Sequence, residues 1–325
     1  MTGYLRAASA KTVYWLRAAA WAFCLALLMW LNASPDETAQ TVAIADSSVQ
    51  SQQQALQAIP LNQLTEAAQA KLWPVINSPS IYRRLPTELI QCDRDMYLTL
   101  VRHPEIIASI WQLMEVTDLT MNRTGPFTFD CDDKAGTTSQ VELLYGTANT
   151  HVFYATTLYE GPLFARPVKG RVVLLLRSEY LADEQGRPQV KSTMDAFIRI
   201  DHVAANLVAR TLSPLVGRTA DHNFVESFRF VSRVNETAVE NGPGMVDLAD
   251  RLEGIDAATS KQFAEVSILV SQRAQTRRDL AIAAAQGRLQ PQPAAQPQVQ
   301  ASEMESQPPL ESANALPLRE IDLRR

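Results

Sequence analysis

The sequence predicts an α+β fold: a curved antiparallel sheet of about six strands packed on a long carboxy-terminal helix, with further helices ahead of the sheet. Three observations predict it. Between residues 126 and 200, apolar and polar side chains alternate with period two, the pattern of an antiparallel sheet covered on one face. Before residue 116 and after residue 201 the apolar spacing becomes that of helices. The connections between successive strands are of meander length, which favours pairing of neighbours in sequence.

The elements follow in order. Asn62–Trp73 reads as a short helix stopped by Pro74, and Asp93–Arg102 as a second. Pro104 opens a third, to about Glu115, because proline is tolerated in a first turn. On it Ile106, Ile107, Ile110, Trp111 and Met114 form one apolar face. In Pro126–Asp132, Phe127, Phe129 and Cys131 alternate with polar residues, and Val141, Leu143 and Tyr145 do the same. Asn149–Glu160 is rich in Tyr, Thr, Val and Phe. Arg171–Leu181 contains Val-Val-Leu-Leu-Leu and ends at a polar turn. Val190–Ile200 closes the series. Asp201 then caps a helix through Leu212, which Ser213-Pro214 and Gly217 interrupt. A second helix, from about Asp221 to Asn241, carries a stripe of Phe224, Val225, Phe228, Val231, Val234 and Ala238, and Gly244–Leu252 is a short third.

The ends differ from this body, taken as residues 61–257. Residues 1–33 read as an export signal: Arg6, Lys11 and Arg17 precede the uncharged run Ala18–Leu31, and Asp36-Glu37 follows. Two readings stay open. A cleaved signal peptide fits the apolar run but has Leu31 where a small residue is wanted. An uncleaved anchor over Thr12–Ala33 is long enough to span a bilayer, which takes about 20 residues. Basic residues before the span and acidic ones after it place the body outside the cytoplasm in either case. Residues 34–60 are rich in Gln, Ser, Ala and Thr and read as a flexible stalk. Residues 258–285 read as a solvated helix, and 286–325, with its Gln-Pro repeats, as a disordered tail that a protein partner would bind.

The chain has 325 residues and a net charge of −5, with the charges scattered. A nucleic-acid reader needs a basic face, and none is visible. There is no phosphate-binding glycine loop, nucleophile elbow or His-Glu-x-x-His pair, so no cofactor, metal or catalytic residue is expected. The four histidines are dispersed. Asp130-Cys131-Asp132-Asp133 reads as a strand end and turn, and Arg83-Arg84 as a solvated pair. Beyond the signal there are two cysteines, Cys92 and Cys131. In an oxidising compartment they suggest one disulfide; the alternative is two buried thiols.

Helices, a strand series, and the strand Lys191–Ile200 passing directly into helices resemble the START-like superfamily, the polyketide cyclase and lipid-transfer or helix-grip fold. The resemblance covers about Ile81 to Asn241 and includes the helix led by His103-Pro104-Glu105. It departs at Pro214 and Gly217, which interrupt what is one continuous helix in that fold. It implies a cavity between sheet and helix that binds a lipid or other apolar molecule. The sheet supplies Phe129, Tyr145, Tyr154, Leu174, Leu176, Met194 and Ile198 as lining candidates, and the helix supplies Phe228. The same side chains would equally fill a dry core. Tyr145 and Tyr154 favour a site, since a few polar groups in an apolar pocket fix a ligand. Two function classes follow: an envelope protein that binds an apolar small molecule without catalysis, or a membrane-anchored interaction or scaffold protein with no such ligand.

Overall fold

The computed structural model describes residues 39–161, 166–201 and 205–286, with the side chains of its longest helix described from Gly217. The expected signal and anchor within residues 1–33, the tail beyond residue 286 and the start of the helix expected at Asp201 lie outside the described residues. Described elements are nine strands in one antiparallel sheet and seven α-helices.

Six strands form a meander, each antiparallel to the next: β4 (Thr120–Gly125), which lies outside the expected series, and β5 (Thr128–Asp132), β6 (Thr137–Gly146), β7 (Thr150–Tyr159), β8 (Val168–Ala182) and β9 (Pro188–Ile200), which match it. The polar turn between β8 and β9 is tightened by Gly186 at φ 72°, a conformation that suits glycine. Three further strands extend the other edge: β1 (Ala39–Ala43), β2 (Ile81–Arg84) and β3 (Thr87–Gln91). Strands β2 and β3 both pair with β9, one after the other, because Pro86 breaks the ladder between them. β1 then pairs with β3. Register shifts in the β1–β3, β4–β5 and β6–β7 pairs are bulges, which bend and twist a strand, and the sheet is open and curved.

Helices cover both faces. On one lie α1 (Val49–Ala58) and α2 (Glu66–Ile76), capped by Ser48 and Thr65. They press Ala55, Ile59, Leu72, Val75 and Ile76 onto Val152, Val173, Leu175 and Phe197 of the sheet. On the other lie α3 (Arg94–Arg102), α4 (Pro104–Leu113), α5 (Ala205–Glu240), α6 (Gly242–Ala249) and α7 (Ala257–Ala285). Their main cluster joins Tyr97, Leu100, Trp111, Phe228, Val231, Phe263 and Val270 to Phe129, Leu176 and Met194 of the sheet.

Several expectations change. Residues 39–59 are not a stalk: they supply β1 and α1 and complete the second face. A polar, Gln-rich helix passes for linker because only Ser51 and Ala55 of α1 are buried. Helix α2 runs through Pro74, whose ring costs less near a helix end, where few bonds remain to break. α5 is continuous through Pro214 and Gly217, so the departure from the helix-grip pattern is absent from the backbone. A side chain at position 217 would crowd Arg83: a Cβ there would sit 3.1 Å from its Cζ, and the guanidinium would have to give way by a few tenths of an ångström. The bare glycine lets the Arg83 guanidinium lie against α5 and pair with Asp221 one turn on. Arg84 pairs with Asp195, so neither arginine of the supposed solvated pair is solvated. α7 is no detached helix either, burying Phe263, Ser267, Val270 and Ala274.

Cys92 and Cys131 are not bridged; both are buried thiols. Cys92 follows β3 and Cys131 lies on β5, with β9, β8, β7 and β6 between those strands. Five inter-strand steps amount to about 24 Å along the sheet, against the roughly 4–7 Å between Cα atoms that a disulfide requires.

Candidate functional site

Between the sheet and the second helical layer lies an apolar cavity of about 120 Å³. Its floor is Phe129 of β5, Ser139 and Val141 of β6, Phe153, Ala155 and Thr157 of β7, Val172, Leu174 and Leu176 of β8, and Met194 of β9. Its walls are Tyr97, Leu100 and Val101 of α3, Pro104 and Ile107 of α4, and Ser227, Phe228 and Val231 of α5. Period two puts alternate strand residues on this face; helical spacing does the same for Tyr97, Leu100 and Val101 of α3, at i, i+3 and i+4.

Five of the eight expected lining residues meet here: Phe129, Leu174, Leu176, Met194 and Phe228. Ile198 lies on the same face but in a neighbouring cluster with Val172, Tyr159 and Ile200. Tyr145 and Tyr154 are on the opposite face, packed against the α1–α2 cluster. For Tyr145 the cause is the bulge between Leu143 and Tyr145, which reverses the alternation; its hydroxyl donates to Gln63. Tyr154 falls out of step with Phe153 and Ala155, and its hydroxyl titrates above its ordinary range because of burial.

The polar groups of the cavity come from elsewhere. Tyr97 is fully buried, and its hydroxyl lies 2.6 Å from Ser178 Oγ and 2.9 Å from Ser192 Oγ. One residue pair beyond Phe153, His151 is buried on the same face, its ring stacked toward Phe153 at 6.4 Å. Burial, and then the positive charge of Arg102, push its pKa down to about 3. His151 Nε2 accepts from Arg102 Nε at 3.5 Å, while Nδ1 is buried without a partner. This imidazole is a neutral polar group buried on the cavity side of the sheet, outside the cavity lining.

Behind Phe129 sits a charged cluster. The Arg123 guanidinium lies 4.5 Å over the Phe129 ring, donates from Nε to Glu105 Oε1 at 2.8 Å, and donates to the carbonyls of Arg102 and Pro126. Glu105 is buried; desolvation alone would raise its pKa, but hydrogen bonds from His103 and Arg123 hold it below the usual range. A single ring nitrogen, His103 Nδ1, lies 3.0 Å from Arg123 Nη2 and 3.4 Å from Glu105 Oε1. No nucleophile stands beside a base in the cavity lining. Among the described residues no cluster of His, Cys, Asp and Glu is arranged to hold a metal.

No family model matches the chain, and no curated protein does. Among solved structures, it is similar to a hypothetical protein from Helicobacter pylori at 9% identity and TM-score 0.31, over 46% of this chain and 86% of that one. It is also similar to an uncharacterized protein from Rhizobium leguminosarum at 10% identity and TM-score 0.25, over 44% and 95%.

Proposed function

We propose that this protein is a membrane-anchored, exported binder of a small apolar group, held between the sheet and helices α3, α4 and α5. The single observation that carries the reading is the cavity: its lining is almost wholly apolar, and a strand series followed by a long continuous helix builds it. That order supports the START-like, helix-grip reading of the fold. The volume sets the occupant. An engineered apolar cavity of about 150 Å³ takes up benzene, whereas drug-sized ligands occupy roughly 300–1,000 Å³. A void of about 120 Å³ therefore suits an aromatic ring or a few methylenes of a longer chain. Ser139, Thr157 and Ser227 are the few polar side chains, besides Tyr97, that such a ligand meets in the lining. The anchor reading of Thr12–Ala33 and the charge order around it support a body held outside the cytoplasm.

Native mass spectrometry of the purified full chain, with displacement of a fluorescent apolar probe, tests the reading. A co-purifying apolar molecule, or saturable probe uptake abolished by Leu174→Phe, is the expected result. A chain that takes up no apolar probe and carries none overturns the binder in favour of a scaffold.

A further inference from the structure

The fold shortens the chain between the anchor and the body. With β1 beginning at Ala39, only residues 34–38 separate it from the end of the Thr12–Ala33 span. Fully extended, the six steps from Ala33 to Ala39 reach about 20 Å. A domain of this size has a radius of gyration of about 18 Å. The tether is thus shorter than the body is wide, and whichever end of the sheet holds Ala39 must face the bilayer.

Register identifies that end. Ala39 pairs with Ile90, Ile90 with Val190, and Val190 with Tyr180, one row across four strands. Three inter-strand spacings of that row span about 15 Å. Leu181 is the next residue outward, followed by the β8–β9 turn. The last turns of α7 come to the same place: Arg277, Arg278 and Ala281 line a cleft with Gln185 and Arg187 of that turn and with Gln91 at the end of β3. Apolar side chains are exposed at this end of the domain on separate elements: Leu181, on the face of β8 opposite Tyr180, is 46% exposed, and Leu280 and Ile282 of α7 are 53% and 55% exposed. Exposed apolar residues beside arginines suit the headgroup–acyl boundary, where arginine reaches phosphate while its stem stays in apolar surroundings.

We infer that this end of the domain, presenting Leu181, Leu280 and Ile282 with Arg277 and Arg278, rests on the lipid surface in which the chain is anchored. The inference rests on the anchor reading, and the experiment separates the two. The full chain, with Cys24→Ser, carries a single added cysteine labelled with an environment-sensitive fluorophore; Cys92 and Cys131 are buried. One label replaces Leu280; the control replaces Lys261, which is exposed on the same helix, about 28 Å away along it. The chain is reconstituted into vesicles of equimolar phosphatidylcholine and phosphatidylglycerol containing a headgroup-proximal spin-labelled lipid. The expected result is quenching at position 280 roughly threefold stronger than at 261, as for a side chain within the boundary region. A chain that floats with the vesicles but is quenched equally at both positions overturns the docking surface and leaves the anchor standing. A chain that does not float with the vesicles overturns both.

Discussion

The two faces of the sheet place their buried charges differently. On the α1–α2 face the polar group is a charge, and it is fully partnered. Asp195 is completely buried and accepts from Tyr82 Oη at 2.6 Å, Arg84 Nε at 2.8 Å and Arg177 Nη2 at 2.8 Å. Arg84 in turn donates to Gln54 and to the Ser51 carbonyl, tying α1 to the sheet. On the cavity face the lining itself carries no charge, and the ion pair of buried Glu105 with Arg123 stands behind Phe129. A closed, ion-pinned layer faces a layer with room in it. One sheet thus separates the job of staying folded from the job of leaving space for an occupant.

The comparison can be broken at its strongest point first. We predict that Asp195→Ala lowers stability by about 3 kcal/mol, because removing one member of a buried ion cluster strands the others. The figure is at the low end because Arg84 and Arg177 keep side-chain exposures of 17% and 35%. Urea unfolding followed by circular dichroism measures it; a loss below half that size would mean that the face is not pinned by charge.

A pH titration tests the cavity face. The folded protein holds His151 neutral with a pKa near 3, while the unfolded chain binds that proton below about pH 6.5. The contribution is therefore complete above about pH 6.5 and is lost as pH falls, by about 1.4 kcal/mol per unit. At pH 5 the loss is about 2 kcal/mol. His151→Gln is expected to flatten the slope of the urea midpoint against pH in this window, and an unchanged slope would show that His151 is solvated.

Neighbouring side chains on β8 sharpen the contrast. Val173 is fully buried on the closed face and Leu174 lines the cavity. We expect Val173→Phe to cost about 1–3 kcal/mol, as overpacking does, and Leu174→Phe less than about 1 kcal/mol. Equal costs would mean that both faces are equally filled. The smallest effect concerns the thiols. A reducing agent is expected to leave the melting temperature unchanged, with Cys92 and Cys131 reacting with a thiol reagent only on unfolding.

Much of this was legible in the sequence where periodicity is unbroken. Strands β5 to β9 and the Phe228 stripe follow from alternation and helical spacing. Five lining residues followed because they share that parity. Tyr145 shares the sequence parity of Val141 and Leu143, and a bulge that leaves no mark in the sequence reverses it; Tyr154 is out of step with Phe153 and Ala155. The α3 wall is readable at Tyr97, Leu100 and Val101 and needs only the same helical count. β1 and α1 were not legible, because edge strands and Gln-rich helices bury too few side chains to leave a pattern. The two cysteines carried no distance information at all; only the strand order keeps them apart.

Arg273 on α7 holds Asp93 at 2.9 Å and Asp95 at 2.8 Å, at the start of α3. These residues are separated by 180 positions in the chain. During synthesis, the apolar face of α3 and α4 therefore waits for almost the whole described chain before α7 covers it. Until then the sides of α3 and α5 that α7 covers are bare, and such uncovered surface is where growing chains aggregate. The helix that backs the cavity wall is thus the last described element to be made, so the fold is clasped by its two distant ends.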